Sequence, residues 1–493
     1  MNITRLLISV FVLLALHATA QHNPQALEKI PTENEVGQLV CPETIAPIEG
    51  APFEMPQMQR PTFPKRTVVI SEKGVKEDKS ITTILNKAIA DLSKKGGGTV
   101  IVPKGKWTCA RVMLQSNINL YFEEGAEVLF SDQPEDYLPA VITRHEGVDI
   151  WGAGGFIYAD GATNIAITGK GLLSGPRIPT SERKTFNSIF EIENELIATP
   201  LAERIFDGQQ GRTFFAPKFI SPINCTDVFI EGVTLENGWF WNINPIYCEN
   251  VIIRGVSVSS IGIPSGDGID ISSCKNVLIE YSTLNNGDDC FTLKSGRGDD
   301  GYNKGIPTEN VVIRYCLAQK GHGGITCGSE TAASIKNVYA HDCVFVGTRT
   351  ALRFKTRRSR GGGSEDIFYE RMRMIGVGEA LTWDLLGTKY FMGDLALRHP
   401  MPEVNHLTPV VRNIHVKDFV VESASRFFTM NAIPEMPLKN VLIENGLINC
   451  KDIVKTMYDT DGFVMKNLTI KAENRIFNMQ DVKNVSIQNV EIK

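Results

Sequence analysis

The chain is predicted to be an all-β solenoid: a parallel β-helix whose N-terminal end is capped by a helix. Three observations carry that prediction. One short phrase keeps returning from residue 163 onward, a polar residue and an Asn or Asp followed by an alternating apolar strand. Examples are Thr226-Asp227-Val228-Phe229-Ile230, Glu249-Asn250-Val251-Ile252-Ile253 and Lys275-Asn276-Val277-Leu278-Ile279. The interval between successive Asn or Asp positions is short and nearly constant: 23 residues from 227 to 250, 26 from 250 to 276, and 27 from 310 to 337, 413 to 440 and 440 to 467. A short fixed period with one strand phrase per unit marks a solenoid. The units are also β-branched and alternating, with Gly and Asn at their corners and no helical stripe between them. A leucine-rich repeat would need a Leu-dominated consensus instead. Asn ahead of each strand suits a left-handed corner or a ladder of side-chain amides.

Taken in order, residues 1–20 read as a secretory signal. Arg5 is the basic start, residues 6–16 form an apolar run too short to span a bilayer, and Ala18-Thr19-Ala20 is a small-x-small cleavage site. The expectation is export to the periplasm or the extracellular space. There is no cysteine at the cleavage point, so a lipid anchor is not indicated, and no membrane insertion is expected after cleavage. Residues 21–65 are polar and rich in proline, and read as an extended tail or a strap on the surface. The β-helix domain is placed at 66–493. Ser80 is expected to cap a helix running to about Lys95, with Ile81, Ile84, Leu85, Ala88, Ile89 and Leu92 on one stripe and Gly96-Gly97-Gly98 ending it. This helix would cover the open end of the core. Strands are predicted at 99–103, 117–122 and 127–130. The stretches 175–215, with 189–201 helical, and 376–407 interrupt the repeat. Long excursions from a rigid scaffold commonly wall a binding site.

A net charge of −5 gives no support to nucleic-acid binding. Ten cysteines occur, several at matching places in the repeat, where stacked thiols serve as small buried apolar groups. There is no CxxC pair and no HExxH, so neither a zinc site nor another metal or cofactor is expected. The protein is expected to be a monomer.

The chemistry is concentrated in residues 265–355. Four glycine-flanked motifs follow one another: Ser265-Gly266-Asp267, Gly287-Asp288-Asp289, Gly321-His322-Gly323 and Arg353-Phe354-Lys355. Alone, each has an ordinary explanation: a turn, a cation ligand, a solvated strand face. Their spacings of 21, 33 and 31 residues correspond to one coil, or one coil plus a loop. Four successive coils on one face would span about 15 Å at roughly 4.8 Å per coil. Strand alternation sends Arg353 and Lys355 outward and Phe354 inward. The expected result is a cleft with acids at one end and cations at the other. Cleavage of a glycosidic bond needs one protonated carboxyl and a second carboxylate. Packed acids raise at least one pKa by repulsion, and His322 could share or tune that proton. The cations suit a substrate bearing carboxylates.

These four motifs resemble the Asn-Thr-Asp, Gly-Asp-Asp, Gly-His-Gly and Arg-Ile-Lys of glycoside hydrolase family 28, the polygalacturonases and their relatives. The likeness extends to Gly96-Gly97-Gly98-Thr99-Val100, Cys248-Glu249-Asn250-Val251 and Thr308-Glu309-Asn310-Val311, and covers roughly 66–493. It implies a right-handed, single-stranded parallel β-helix that hydrolyses pectic polysaccharides or oligosaccharides at α-linked galacturonic acid with inversion. Acid and base would then stand about 6.5–9.5 Å apart. Asp288 is implied as general acid, with Asp267 and Asp289 holding the water and His322 supporting the acid. Arg353 and Lys355 are implied to bind the substrate carboxylate, and Ser265, Lys294, Trp241 and Asn244 to lie at the sugar subsites. Ser265-Gly266 replaces the family's Asn-Thr, and Asn244 stands where bacterial-looking members have His. The insertion at 297–308 and the two excursions resemble those of exo-acting members. Trp239, Phe240, Trp241, Trp383 and Tyr390 are candidates for stacking on sugars. Alternatives are a rhamnogalacturonan-type hydrolase of the same family, a pectin lyase with a calcium cluster and an arginine base, and a glycan-binding β-helix without activity.

Overall fold

The computed structural model describes residues 24–74, 79–178, 189 and 192–493. The signal-peptide reading of 1–20 lies outside them, as does part of the 175–215 excursion.

Each repeat phrase forms a strand that pairs in parallel with its counterpart one coil away. Val228, Val251, Val277, Val311, Val338, Ile367, Ile414 and Val441 stand in one unbroken column of register partners. These side chains point inward and are buried. β-branched residues fit this pleated, stacked environment, so the period seen in the sequence is the height of one coil. The coils form a right-handed parallel β-helix, the hand that crossovers between parallel strands adopt. The Asn or Asp ahead of each strand does two jobs. Asn250, Asn276, Asn310 and Asn337 all have φ of 55–57°. Their amides also form a ladder: Asn276 donates to Asn250 at 3.1 Å, Asn310 to Asn276 at 3.2 Å and Asn337 to Asn310 at 3.0 Å. Both roles expected of these residues are present at once.

The outward-facing positions of the same strands include Ala166, Phe229, Ile252, Leu278, Val312 and Tyr339, which would be an exposed apolar stripe. They are covered by the proline-rich segment, whose Ile45, Ile48, Phe53, Met55, Met58 and Phe63 pack on them. Arg314 donates to the carbonyls of Ala46 and Pro47, and Arg373 to those of Ile30 and Pro31, which pins the segment down. It is therefore a strap, and it contains two short helices, Pro24–Glu28 and Glu33–Gly37, that periodicity did not reveal.

The capping helix spans Thr82–Lys94 and buries Leu85, Ala88, Ile89 and Leu92. Ser80 does not cap it. Ile81 occupies the N-cap without a side-chain bond, and the Thr82 hydroxyl instead accepts from the Ala110 amide at 2.7 Å, tying the helix to the following strands. Gly97 ends it with φ of 97°, where a Cβ would stand 2.2 Å from the Asn117 carbonyl oxygen. Strands occur at Gly98–Val102, Ile118–Phe122 and Ala126–Phe130, with an unpredicted one at Gly105–Cys109. All ten cysteines are free, nine of them buried. The second interruption starts later than expected, because Val377–Asp384 continues the helix and the excursion begins only at 385. In the first, Glu193–Ala198 is helical. The insertion after Arg297 is a helix, Gly298–Lys304, rather than a loop.

Candidate active site

One face of the β-helix is built from the strands Ile269–Ser272, Phe291–Lys294, Gly323–Gly328, Thr350–Lys355 and Val377–Asp384, each paired with the next. The four motifs sit at or just ahead of the first four of these strands, so they occupy consecutive coils. The Gly268 amide donates to the Asp289 carbonyl at 3.0 Å, and the His322 amide to the Asp288 carbonyl at 3.0 Å. Glycine is required where the acids crowd. A Cβ on Gly323 would lie 2.7 Å from Asp289 Oδ1 and 2.0 Å from Thr326 Oγ1. The Gly-His-Gly motif thus makes room for the neighbouring carboxylate as well as presenting the imidazole.

Asp267, Asp288 and Asp289 each bring a carboxylate oxygen within 4.8 Å of the other two. Asp267 and Asp289 are buried, while the Asp288 side chain is 27% exposed and faces the cavity. The expected separation of acids from cations is not what is found. Arg353 stands 3.0 Å from Asp289 Oδ1 and Lys355 3.1 Å from Asp289 Oδ2, so both cations grip one acid directly. Phe354 between them points inward and stacks on Trp383, with ring centroids 5.3 Å apart. One oxygen of each of the three carboxylates lies within 4.8 Å of the others, nearer than the 6.5–9.5 Å expected between acid and base groups.

These surroundings divide the acids. Burial pushes the Asp267 carboxyl well above the usual range, and the neighbouring charges of Asp270 and Asp288 add to it. Burial acts on Asp289 in the same sense, but Lys355, Arg353 and Lys294 outweigh it and hold that carboxyl well below the usual range. Asp270, fully buried behind the trio, is pushed up to about 7, chiefly by burial. Lys294 joins the two layers. Its ammonium is 3.8 Å from Asp267, 3.6 Å from Asp270, 3.1 Å from Glu330 and 4.4 Å from the centre of the Trp241 ring. His322 Nδ1 lies 2.9 Å from Asp288 Oδ1, and this hydrogen bond raises the imidazole pKa above its ordinary value. The acidic trio could in principle hold a divalent cation, but three side-chain cations already neutralise it, two of them on Asp289.

The site opens into a cavity of about 440 Å³. Ser265, Trp241, Lys294, Asp267, Asp288, His322, Arg353 and Lys355 line it. Asn244 does not. It is 1% exposed, and its amide holds the Asp270 carbonyl at 2.7 Å, so its role is to brace the coil below the acids. Trp239, Phe240 and Trp383 are likewise core residues and offer no surface to a sugar.

Several lining residues were not picked out from the sequence. Glu330 bridges Lys294 and Arg297, which stands 3.0 Å away on the other side. Arg297 in turn meets Glu193, at the start of a helix in the first excursion, at 2.9 Å. Glu146, Arg349, Arg357, Arg360, Phe391 and Met392 complete the wall. One signal was available: Arg353, Lys355 and Arg357 recur at every second position, so the outward row of cations has a third member. Glu146, Glu193 and Phe391 come from a hairpin tip and the two excursions, outside the repeat, and nothing in its period could place them.

The profile of glycosyl hydrolases family 28 matches residues 207–390. A protein named "Probable polygalacturonase" from Vitis vinifera is 28% identical over 404 residues, covering 79% of this chain and 76% of its own. The crystal structure of a hyperthermoactive exopolygalacturonase from Thermotoga maritima superposes with a TM-score of 0.73 at 30% identity, covering 84% of this chain and 93% of that one. The family 28 exopolygalacturonase of Yersinia enterocolitica shares the fold, with a TM-score of 0.66 at 20% identity over 87% of this chain and 79% of that one. With the four motifs on consecutive coils and a relative this similar over nearly its whole length, the chain belongs to glycosyl hydrolases family 28.

Proposed function

We propose that this glycoside hydrolase removes α-linked galacturonic acid from pectic polysaccharides or oligosaccharides, acting from a chain end and with inversion. The observation that carries the reading is a trio of carboxylates within 4.8 Å of one another, set beside the cations of Arg353 and Lys355. The acids supply what glycosidic cleavage needs, and the cations suit a substrate that carries carboxylates. The polygalacturonase names of the relatives support the substrate class, and the two exopolygalacturonase structures support action from an end. The excursion carrying Phe391 and Met392 reaches the cavity, which fits a pocket closed at one side.

In this reading Asp288 is the general acid. It is the member of the trio most open to the cavity, and its Oδ1 is held by His322. Asp267 and Asp289 hold the attacking water between them, and Asp267, once ionised, accepts its proton. Asp289 stays ionised beside its two cations and serves to orient. As bond cleavage proceeds, Asp288 gives its proton to the leaving oxygen while the water adds to the anomeric carbon. Arg353 and Lys355 each have further donors and face the cavity while holding Asp289, so they can receive the sugar carboxylate. Ser265 and Trp241 contact the sugar. The leader-like residues 1–20 support export, and no helix among the described residues is long and apolar enough to cross a membrane. Incubation with polygalacturonate and with oligogalacturonides of defined length tests the reading. Monogalacturonate, or one short oligomer, should be the sole early product. A ladder of intermediate lengths would refute end-wise action, and an unsaturated product absorbing in the ultraviolet would refute hydrolysis.

A further inference from the structure

A line of alternating charge runs from the first excursion to the floor that carries the acids. Glu193 stands 2.9 Å from Arg297, Arg297 3.0 Å from Glu330, and Glu330 3.1 Å from Lys294. At the inner end the Lys294 ammonium faces Asp267 and Asp270, but at 3.8 and 3.6 Å, beyond hydrogen-bond reach. Lys294 is therefore bonded to Glu330 and only near the two aspartates. The Glu330 carboxylate is buried and backed by the hairpin, where a Cβ on Gly147 would stand 2.7 Å from Glu330 Cγ and 2.9 Å from Arg297 Cβ. Burial opposes the charge of Glu330, but Lys294 and Arg297, with Arg360 and Lys355 behind them, outweigh it and hold the carboxyl well below its usual range. Glu146, 3.8 Å from Arg297, is the other carboxylate on this side. Asp289 shows what direct contact with cations does on the same floor. With Arg353 and Lys355 at 3.0 and 3.1 Å, it is held well below the usual range. Asp267, which faces Asp270, Asp288 and Asp289 as well as Lys294, stays well above it, chiefly through burial. A general base needs a pKa near the working pH. An ammonium seated directly on Asp267 would turn it into a second Asp289.

We propose that Glu330 is a positioning residue: by bonding the Lys294 ammonium it keeps that cation off Asp267, and so preserves the basicity with which Asp267 takes the proton of the attacking water. Glu330 touches no reacting atom in this scheme and acts through Lys294. Glu193 supports it from the excursion by sharing the charge of Arg297, which would otherwise draw on Glu330 alone. This inference rests on the reading of Asp267 as the base, and it extends the control of that base to two carboxylates outside the four motifs.

The test is the pH profile of kcat/KM for the full chain on trigalacturonate. In Glu330→Gln the ammonium loses its bonded partner and closes on Asp267. The acidic limb should then move down by about one pH unit, and kcat on the plateau should fall about threefold as the base weakens. Glu330→Asp keeps the charge and should bring the limb back toward that of the wild type. Glu193→Gln leaves the floor untouched and should move the limb in the same direction by less, which keeps the test open if Glu330→Gln fails to fold. In a Lys294→Gln background, Glu330→Gln should no longer move the limb. A limb that stays in place or moves up in Glu330→Gln and Glu193→Gln would overturn the proposal. A shift that persists without Lys294 would overturn it too, since Glu330 would then act on Asp267 through its own charge. Infrared difference titration of the Asp267 carboxylate, assigned with Asp267→Asn, separates this inference from the parent reading. An Asp267 pKa that falls in Glu330→Gln, in a protein that releases no galacturonate, would sink the parent reading and keep the positioning role. Galacturonate release with an Asp267 pKa indifferent to Glu330 would do the reverse.

Discussion

His322 Nδ1 lies 2.9 Å from Asp288 Oδ1, and the two residues come from consecutive coils, 34 positions apart in sequence. The bond raises the imidazole pKa, because Asp288 favours the protonated ring, and partial burial opposes it. Removing the carboxylate removes the cause. In Asp288→Asn the His322 pKa should fall toward its ordinary value, as followed by NMR titration of the ring signals. A pKa that stays high in this variant would mean that Asp289, the more distant charge, controls the ring.

The same substitution tests the acid. Proton donation by a positioned side chain contributes about 10²–10⁴-fold. Asp288→Asn should lower kcat by that much on oligogalacturonides while leaving equilibrium binding of digalacturonate within a few fold. Turnover close to that of the parent would remove Asp288 from the acid role.

Asp270 offers a pH test. Burial comes first among the causes that raise Asp267, and the charge of Asp270 comes next. If Asp267 must be ionised to take the water proton, kcat/KM falls on the acidic side as Asp267 becomes protonated. Asp270→Asn deletes a negative neighbour, so Asp267 ionises more readily and its pKa moves down. The acidic limb should therefore shift to lower pH. A shift to higher pH would mean that Asp270 serves to hold Lys294 against Asp267, and that its loss removes a cation from the base.

The scaffold was legible in the sequence because a solenoid writes its height into a period. The Asn or Asp before each strand marks the corner, and the interval between two such residues is one coil. The same rule put Asp267, Asp288, His322 and Arg353 on consecutive coils. It failed where chain enters from outside the repeat. The strap that covers Phe229 and Leu278 has no period of its own, Glu146 and Phe391 reach the cavity from a hairpin and an excursion, and Glu193 reaches Arg297 from the other excursion. Asn244 was misplaced for a different reason. Its neighbour Trp241 does line the cavity, but the Asn244 amide is buried and spent on the Asp270 carbonyl. Acids and cations were placed at opposite ends because coil counting fixes backbone position, while Arg353 and Lys355 are long enough to reach back to Asp289.

The corner ladder predicts a graded loss of stability. Asn276 combines φ of 56° with two amide bonds, to Asn250 and from Asn310. A left-handed conformation costs an ordinary residue about 1–2 kcal/mol, and each lost hydrogen bond about 0.5–1.5 kcal/mol. Asn276→Ala should destabilise by about 2–5 kcal/mol. Asn276→Gly should cost clearly less, since glycine accepts this φ and loses only the ladder and some chain entropy. Denaturation midpoints followed by tryptophan fluorescence would compare them. Equal costs for Ala and Gly would mean that the ladder, and not the corner conformation, sets the requirement for Asn.

The stereochemical course follows from which oxygens are free. Retention needs a carboxylate that can attack the anomeric carbon, with the two acids about 5–5.5 Å apart. Measured by spacing alone, a trio within 4.8 Å is closer to that arrangement than to the wide inverting one. The surroundings argue the other way. Asp289 has one oxygen on Arg353 and the other on Lys355, so its charge is already neutralised, and burial pushes Asp267 toward its protonated, non-nucleophilic form. Neither is a strong nucleophile, whereas together they can hold a water that Asp267, in its ionised form, deprotonates. NMR of the anomeric protons, recorded before mutarotation, should show the β-anomer as the first product from an α-linked oligogalacturonide. An α-anomer appearing first would make Asp267 or Asp289 the attacking group, and the assignment of both as water-holding residues would fall with it.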